Sequence, residues 1–498
     1  MSALSRSRVW NAGGVWIVFA AVLLVMPQLF SSNFGLTILC QIGIVIVSCV
    51  SFHLLLGEGG MLSFGHAVYT GMGGYFAIHA LNAWGKGEHY IPVSLLPLVG
   101  GLGSLCLAFF LGFVSTRQSG TTFAMITLGT SELIASMALM FSDFFGGEAG
   151  LTANRVTGHA VLGITFGPQI EVYYLIAVYC FVCVLLMYLF TKTPLGIMLN
   201  AVRDNPMRVG FIGYNTLRIR WFAFMISGFF AGVAGGLAAL NFELVNSEVV
   251  GPVRSGAYIL FTFLGGIKAF FGPIIGAVLL VLTNNVFSSL TKAWLLYLGL
   301  IFYISVMYLP GGLASVVVRH LEAVKTMARL QGIGGGAAQT AFGKIVKSYL
   351  LLLLTLLPLM AGVSLIIEML YQLQLGDSIS SDFYFAGDAV DPQNPWVWIL
   401  GLIFSGLCTL LFNRARLYTQ QAWSDFDEIV KSHQSALEVL QEAWDGVQHK
   451  AEDEFVPEFV HESADKSTHQ PTHQPTHQPT HQPTHQPTHQ PTINGGQS

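Results

Sequence analysis

The chain has 498 residues, 53% of them hydrophobic and only 10% charged, with a formal net charge of −4. Soluble domains carry roughly 25% charged residues, so the deficit excludes a wholly soluble protein and makes lipid the solvent for much of the chain. The near-neutral sum gives no reason to expect a nucleic-acid partner.

A membrane span needs about 20 mostly apolar residues. The first candidate, 13–30, follows Ser5-Arg6-Ser7-Arg8 and resembles a signal peptide, but no small-residue cleavage site follows it. It is read as a retained helix. Further spans are expected at 34–56, 61–81, 93–113, 121–141, 172–190, 221–241, 255–268, 272–289 and 294–309, then at 347–370 and 396–412. The 255–268 segment is short and ends at Gly265-Gly266, which marks a half-span or a tilted one. The fold class is therefore an all-α polytopic membrane protein, with about ten core helices and two appended ones.

All six cysteines lie in apolar runs, and the pair Cys180 and Cys183 falls inside a span, where buried thiols act as small packing groups. Lys and Arg fix the orientation. With the N-terminus inside, sixteen fall in inner segments and four in outer loops. Both termini are then cytoplasmic.

The connections divide the chain. A core occupies 1–320, a glycine-rich linker 331–343, a two-span appendix 344–413, a cytoplasmic amphipathic region 414–466 and a repeat tail 467–498. Within the fourth, Phe426, Val430, His433, Leu437, Leu440, Trp444 and Val447 form a heptad seam. The tail repeats Thr-His-Gln-Pro six times, and proline in every fourth position excludes helix and sheet ladders. It is expected to be disordered and without function.

Few residues carry chemistry. The sequence has no metal-ligand spacing and no nucleophile motif. Gly343-Lys344 fails as a phosphate loop, because Ala338 stands where the first glycine belongs and Ile345 replaces the Ser or Thr. The chain is expected to be no enzyme, to need no cofactor or metal, and to rely on another chain if ATP drives it. Residues 56–75 hold seven glycines among twenty residues. Such a stretch breaks a helix beside a pathway or lets helices pack closely. Ser63 and His66 are its polar groups, His66 either facing a path or bonding a neighbouring carbonyl. Glu132, near the middle of a span, is either a pathway residue or a polar link between helices. Gly228, Gly232 and Gly236 share one helix face and form a packing seam against another helix, of this chain or of a partner. The outer loop 142–171 is polar and contains glycine. The inner segment 191–220 is basic, yet Leu199, Val202, Val209, Phe211 and Ile212 are too apolar for a solvated loop and predict a short docked helix.

Several stretches in family order resemble the M-type (LivM-like) permease subunit of branched-chain amino acid ABC importers. These are MLSFGHAVYTGMGGYFA, GGEAGLT, the segment from Thr193 through Leu240, FLGGIKAFFGPIIGAVLL and LYLGLIFYISVMYLPGGLASVV. The resemblance covers roughly residues 10–320. It implies a bacterial inner-membrane subunit that partners a second, H-type permease, two ATP-binding subunits and a periplasmic substrate-binding protein. Carried onto this sequence, it implies that Arg203, Asp204, Arg208 and Gly213 form the coupling segment toward an ATPase. It implies that Ser63, Gly65, His66 and Glu132 lie near the translocation route, and that Gly146, Gly147, Gly150 and Thr152 face the binding protein. The family usually ends soon after the PGGLA-like element, whereas here the appendix and tail follow. Permeases for urea and short amides share much of the pattern. A stand-alone secondary transporter or channel using Glu132 is the competing class.

Overall fold

A computed structural model of the chain describes residues 2–85, 92–156, 166–290, 294–308, 311–330, 336–375, 383–385, 388–390 and 395–454. Helices α1 (Ser2–Leu29), α2 (Asn33–His53), α3 (His66–Gly85), α4 (Leu96–Ser115), α5 (Gly120–Met140) and the single turn α6 (Ser142–Phe145) open the chain. Then come α7 (Gln169–Lys192), α8 (Pro194–Asp204), α9 (Pro206–Phe211), α10 (Thr216–Phe242), α11 (Pro252–Gly265), α12 (Gly272–Leu282) and the short α13 (Ser288–Leu290). The chain continues through α14 (Trp294–Tyr308), α15 (Gly312–Leu330), α16 (Gly336–Leu375) and α17 (Pro395–Glu454). The strands are short and pair antiparallel: β1 (Leu151–Thr152) with β2 (Leu244–Val245), and β3 (Phe383–Phe385) with β4 (Asp388–Val390).

Local chemistry sets the helix starts. Ser32 Oγ accepts from the Gly35 amide at 3.1 Å to cap α2, and Asn215 Oδ1 accepts from the amides of Leu217 and Arg218 at 3.1 Å to cap α10. Each bond satisfies an orphan donor of a first turn. Proline opens α8, α9 and α11, where its missing N–H costs nothing.

Among the described residues seven helices are long and apolar enough to cross a membrane: Asn33–Glu58, Val93–Ser115, Gly120–Met140, Gln169–Lys192, Thr216–Phe242, Phe342–Leu370 and Pro395–Ser432. Three shorter apolar helices, Gly14–Leu29, Gly272–Val286 and Trp294–Tyr303, match further expected spans. One expected span changes character, and the short one is short in the structure too. The segment expected as 61–81 starts only at His66, because the glycines before it do not propagate a helix. The segment expected as 255–268 ends at Gly265, and Gly266 takes φ +117°, so α11 is a 14-residue half-span that doubles back on α12.

The core is built around α10, which packs on α2, α3 and α4. The seam Gly228-Gly232-Gly236 faces α4 of the same chain rather than a partner. A Cβ at Gly228 would meet Ala108 Cβ at 2.7 Å, and one at Gly236 would meet Pro97 Cα at 2.7 Å. Gly232 meets Ser104 and Gly100, while Gly73 of α3 closes on Gly232. Three glycines from three helices thus meet at one point, and the backbones approach as only small residues allow. Cys180 and Cys183 are free and buried in the same apolar core.

The chain divides into two units, 1–426 and 427–498. The first contains the bundle and the appended helices. Residues 336–343, expected within a flexible linker, form the first turns of α16. Tyr297 of α14 is 2.9 Å from Ser364 Oγ of α16. Trp423 Nε1 of α17 donates to Tyr349 Oη of α16 at 3.1 Å, and Arg319 of α15 lies 4.1 Å from the Trp423 ring centroid. The second unit is helical as far as Glu454. The heptad side chains from His433 onward and the Thr-His-Gln-Pro tail lie outside the described residues.

Candidate functional site: a broken helix and the basic segment docked on it

The helix that begins as α2 does not stop at His53. It continues as one π-helical turn, Leu54–Glu58, and then breaks. Gly60 takes φ +63°, a left-handed conformation that a residue without Cβ adopts at no steric cost. The break runs to His66, where α3 begins. Bonds from neighbouring elements hold it. The Phe64 amide donates to Thr127 Oγ1 of α5 at 3.0 Å, and the Ala67 amide donates to Ser255 Oγ of α11 at 2.9 Å.

His66 and Ser63 are fully buried beside this break. His66 Nε2 is 2.9 Å from Ser51 Oγ, and Ser227 Oγ of α10 donates to the Ser51 carbonyl at 2.6 Å. The His66 ring lies edge-on to Phe52, 5.3 Å between centroids. His66 Nε2 is therefore held by a hydroxyl in a polar knot shared by α2, α3 and α10, while its Nδ1, like Ser63 Oγ, is buried without a hydrogen-bond partner among the described residues. Leaving a buried polar group unpaired costs about 1–3 kcal/mol. Gly65 sits at the contact with α5, where a Cβ would lie 2.5 Å from the Thr127 carbonyl oxygen.

Glu132 is elsewhere. It follows Thr127 by five residues, about 140° around the helix, and it is exposed on the outer face of α5 with Gly129 and Ser136. The four residues expected along one route thus do not share a surface.

The basic segment folds into α8 and α9, as its apolar residues required. Leu199 and Val202 are completely buried, and Val209 nearly so, in a cluster with Leu55 and Met61 on either side of the break. Phe211 and Ile212 depart from the expectation, being 84% and 73% exposed, with Met207 beside them at 70%. The segment has a docked inner face and an apolar outer face. Arg208 is exposed, and Gly213 at φ +95° has open space around it.

Arg203 is exposed, yet one end of it reaches the break. Its Nη1 donates to the Gly57 carbonyl, its Nε bonds Asp204 Oδ1 at 3.0 Å, and its stem lies over Gly60. One turn earlier, Asn200 Nδ2 donates to Glu58 Oε2 at 2.6 Å. His53 Nε2 lies 4.0 Å from the other Glu58 oxygen. Asn200, Glu58 and His53 escaped the sequence reading. A carboxylate ending an apolar run at LLLGE could have flagged Glu58, though not its partners.

In the other polar loop, Gly146, Gly147 and Gly150 all take positive φ, at 77°, 64° and 74°. They turn the chain so that Thr152 pairs with Leu244 across β1 and β2. Asn82 Nδ2 donates to the Thr152 carbonyl at 3.0 Å. The loop is pinned by Arg155, whose guanidinium donates to the carbonyls of Leu240, Asn241, Phe166 and Gly167. Residues 157–165 of this loop lie outside the described residues.

Comparison with known proteins agrees with this architecture. Residues 34–309 match the family described as branched-chain amino acid transport system / permease component. Residues 462–494 match the PT disordered repeat. The high-affinity branched-chain amino acid transport system permease protein LivM of Salmonella typhimurium is 27% identical over 306 residues, covering 57% of this chain and 69% of that protein. A probable branched-chain amino acid transport permease protein LivH of Methanocaldococcus jannaschii is 24% identical, covering 52% and 85%. The ribose import permease protein RbsC of Haemophilus influenzae is 26% identical, covering 55% and 83%. No solved structure matches. With 34–309 spanning more than half of its length, and with apolar helices, the glycine seam and the docked basic segment inside that range, this chain belongs to the branched-chain amino acid transport permease family, as a multi-pass membrane subunit of an ABC transporter.

Proposed function

We propose that this chain is the M-type permease of an importer for branched-chain amino acids, set in a bacterial inner membrane with both termini cytoplasmic. Its partners are an H-type permease, two ATP-binding subunits and a periplasmic binding protein. One observation carries the reading: α8 and α9 bury Leu199, Val202 and Val209 against the bundle while Met207, Phe211 and Ile212 face outward. Exposed apolar clusters of this kind mark protein contacts. The cytoplasmic charge bias supports an ATPase as its occupant, with Arg208 and Gly213 beside it.

The glycine-turned loop Gly146–Thr152 is the surface offered to the binding protein. The H-type permease covers the outer face of α5. A carboxylate at mid-span costs a few kcal/mol against acyl chains, so Glu132 needs protein or water beside it. Gly129, one turn away, lets another helix approach. The translocation route then runs between the two permeases, with Glu132 on it and Ser63 and His66 holding the helix break behind it. The names of the relatives support leucine, isoleucine and valine as cargo.

The test is co-expression with a candidate ATP-binding subunit from the same transporter. The wild-type chain retains that subunit through purification in detergent, and Phe211→Asp or Arg208→Glu releases it while membrane insertion is unchanged. Retention by both variants would overturn the docking assignment. Uptake of labelled leucine, with labelled ribose and urea as competing solutes, decides the cargo.

A further inference from the structure

The grip of α8 on the broken helix goes beyond docking. The segment exposes Met207, Phe211 and Ile212 beside the charged Asp204 and Arg208, and two of its polar side chains reach the backbone and side chain of one turn. Arg203 holds the Gly57 carbonyl, Asn200 holds the Glu58 carboxylate at 2.6 Å, and both targets lie in the π-helical turn Leu54–Glu58. Leu199 and Val202 add apolar contact on the same side, and a Cβ at Gly59 would lie 3.2 Å from Leu199 Cδ1.

A π turn holds one residue more than an α turn in the same register, and such turns occur frequently at functional sites. Its return to α-helical bonding rotates everything beyond it by about 100° and shifts it by about 1.5 Å. Here everything beyond it is the break: Gly60 at positive φ, Met61, whose amide donates to the Leu55 carbonyl at 2.8 Å, and then Ser63 and His66. His53 is the counterpart on the helical side. Its ring fills the space that a side chain at Gly57 would take, and it faces Glu58. The turn is thus clamped by α8 from one side and by α2 from the other.

We propose that Arg203 and Asn200 are positioning residues that transmit displacement of α8 into the register of the Leu54–Glu58 turn, and so into the segment bearing Ser63 and His66. This rests on the reading of α8–α9 as the ATPase-coupling segment. Arg203, which the family resemblance assigned to the contact with the motor, stands at the inner edge of that surface: the motor touches Phe211 and its neighbours, and Arg203 carries the movement to the Gly57 carbonyl.

Hydrogen exchange read by mass spectrometry on the assembled transporter in nanodiscs, with and without ATP plus vanadate, tests this. In the wild type, ATP changes exchange in peptides covering 194–214 and, by about tenfold, in peptides covering 54–65, a typical strength of coupling between sites. Arg203→Ala and Asn200→Leu keep the first response and lose the second. Arg203→Lys, which keeps a cationic donor, and Glu58→Gln, which keeps an oxygen for Asn200, restore most of it, whereas Glu58→Leu does not. These rescues separate a transmitting role from one that merely holds the fold. An undiminished response of 54–65 in Arg203→Ala and Asn200→Leu would overturn the proposal and leave the coupling reading intact. Absence of any response at 194–214 in the wild type would overturn both.

Discussion

Arg155 donates from Nη1 to the carbonyl of Leu240 at 3.2 Å, closing the end of α10 from a loop 85 residues away in sequence. The last carbonyls of a helix lack intrahelical donors, and a cationic donor there also suits the helix dipole. The same guanidinium holds Asn241, Phe166, Gly167 and Gln169, with Glu243 3.8 Å away.

Arg155→Ala is therefore expected to destabilise the chain by about 2–4 kcal/mol, since charged hydrogen bonds contribute about 1.5–3 kcal/mol each and several orphaned carbonyls remain. Arg155→Lys, with one point donor in place of a planar fork, recovers less than half. Thermal unfolding of the detergent-solubilised protein, followed by tryptophan fluorescence, measures both.

The glycine seam predicts a graded series. Gly228→Ala brings its Cβ within 2.7 Å of Ala108 Cβ and is expected to cost about 1–3 kcal/mol as overpacking. Gly232→Leu, at the junction of α3, α4 and α10, is expected to prevent folding. Gly129→Ala, with open space around it, leaves the isolated chain as stable as wild type. Yield and monodispersity on size-exclusion chromatography check the order.

The outer face of α5 gives a prediction about assembly. Gly129→Leu and Glu132→Leu are expected to leave this chain folded but to lower its recovery with the H-type permease by about tenfold, a loss of about 1.4 kcal/mol. Quantitative pull-down from membranes co-expressing both permeases reads it. Full recovery in both variants would remove α5 from the permease interface.

Among the described residues, Tyr297 and Trp423 each join the appended helices to neighbouring ones. Tyr297→Phe removes the contacts to Ser364 and Glu368 and is expected to cost about 0.6 kcal/mol, the mean for hydrogen bonds between membrane helices. Trp423→Ala removes the bond to Tyr349, the ring under Arg319 and the edge contact with His320, and is expected to free α17. Limited proteolysis distinguishes the two: cleavage near residues 390–395 accelerates only in Trp423→Ala.

The membrane class was legible in the sequence because burial in lipid leaves a compositional mark: long apolar runs are required wherever water is excluded. The glycine seam was legible for a similar reason, since a spacing of four residues fixes one helix face whatever lies against it. The docked character of 194–211 followed from Leu199, Val202 and Val209, whose apolar side chains gain nothing in solvent. What the seam packs against, α4 of the same chain, depended on which helices the fold brings together. So did the separation of Glu132 from Ser63 and His66: all are polar residues in apolar segments, and only the packing of α5 decides which way its carboxylate points. The bond from Arg203 to the Gly57 carbonyl, and the reach of Asn200 to Glu58 across 142 positions, had no local signal. A hydrogen bond between distant residues is specified by three-dimensional register, which composition and periodicity along a single chain do not encode.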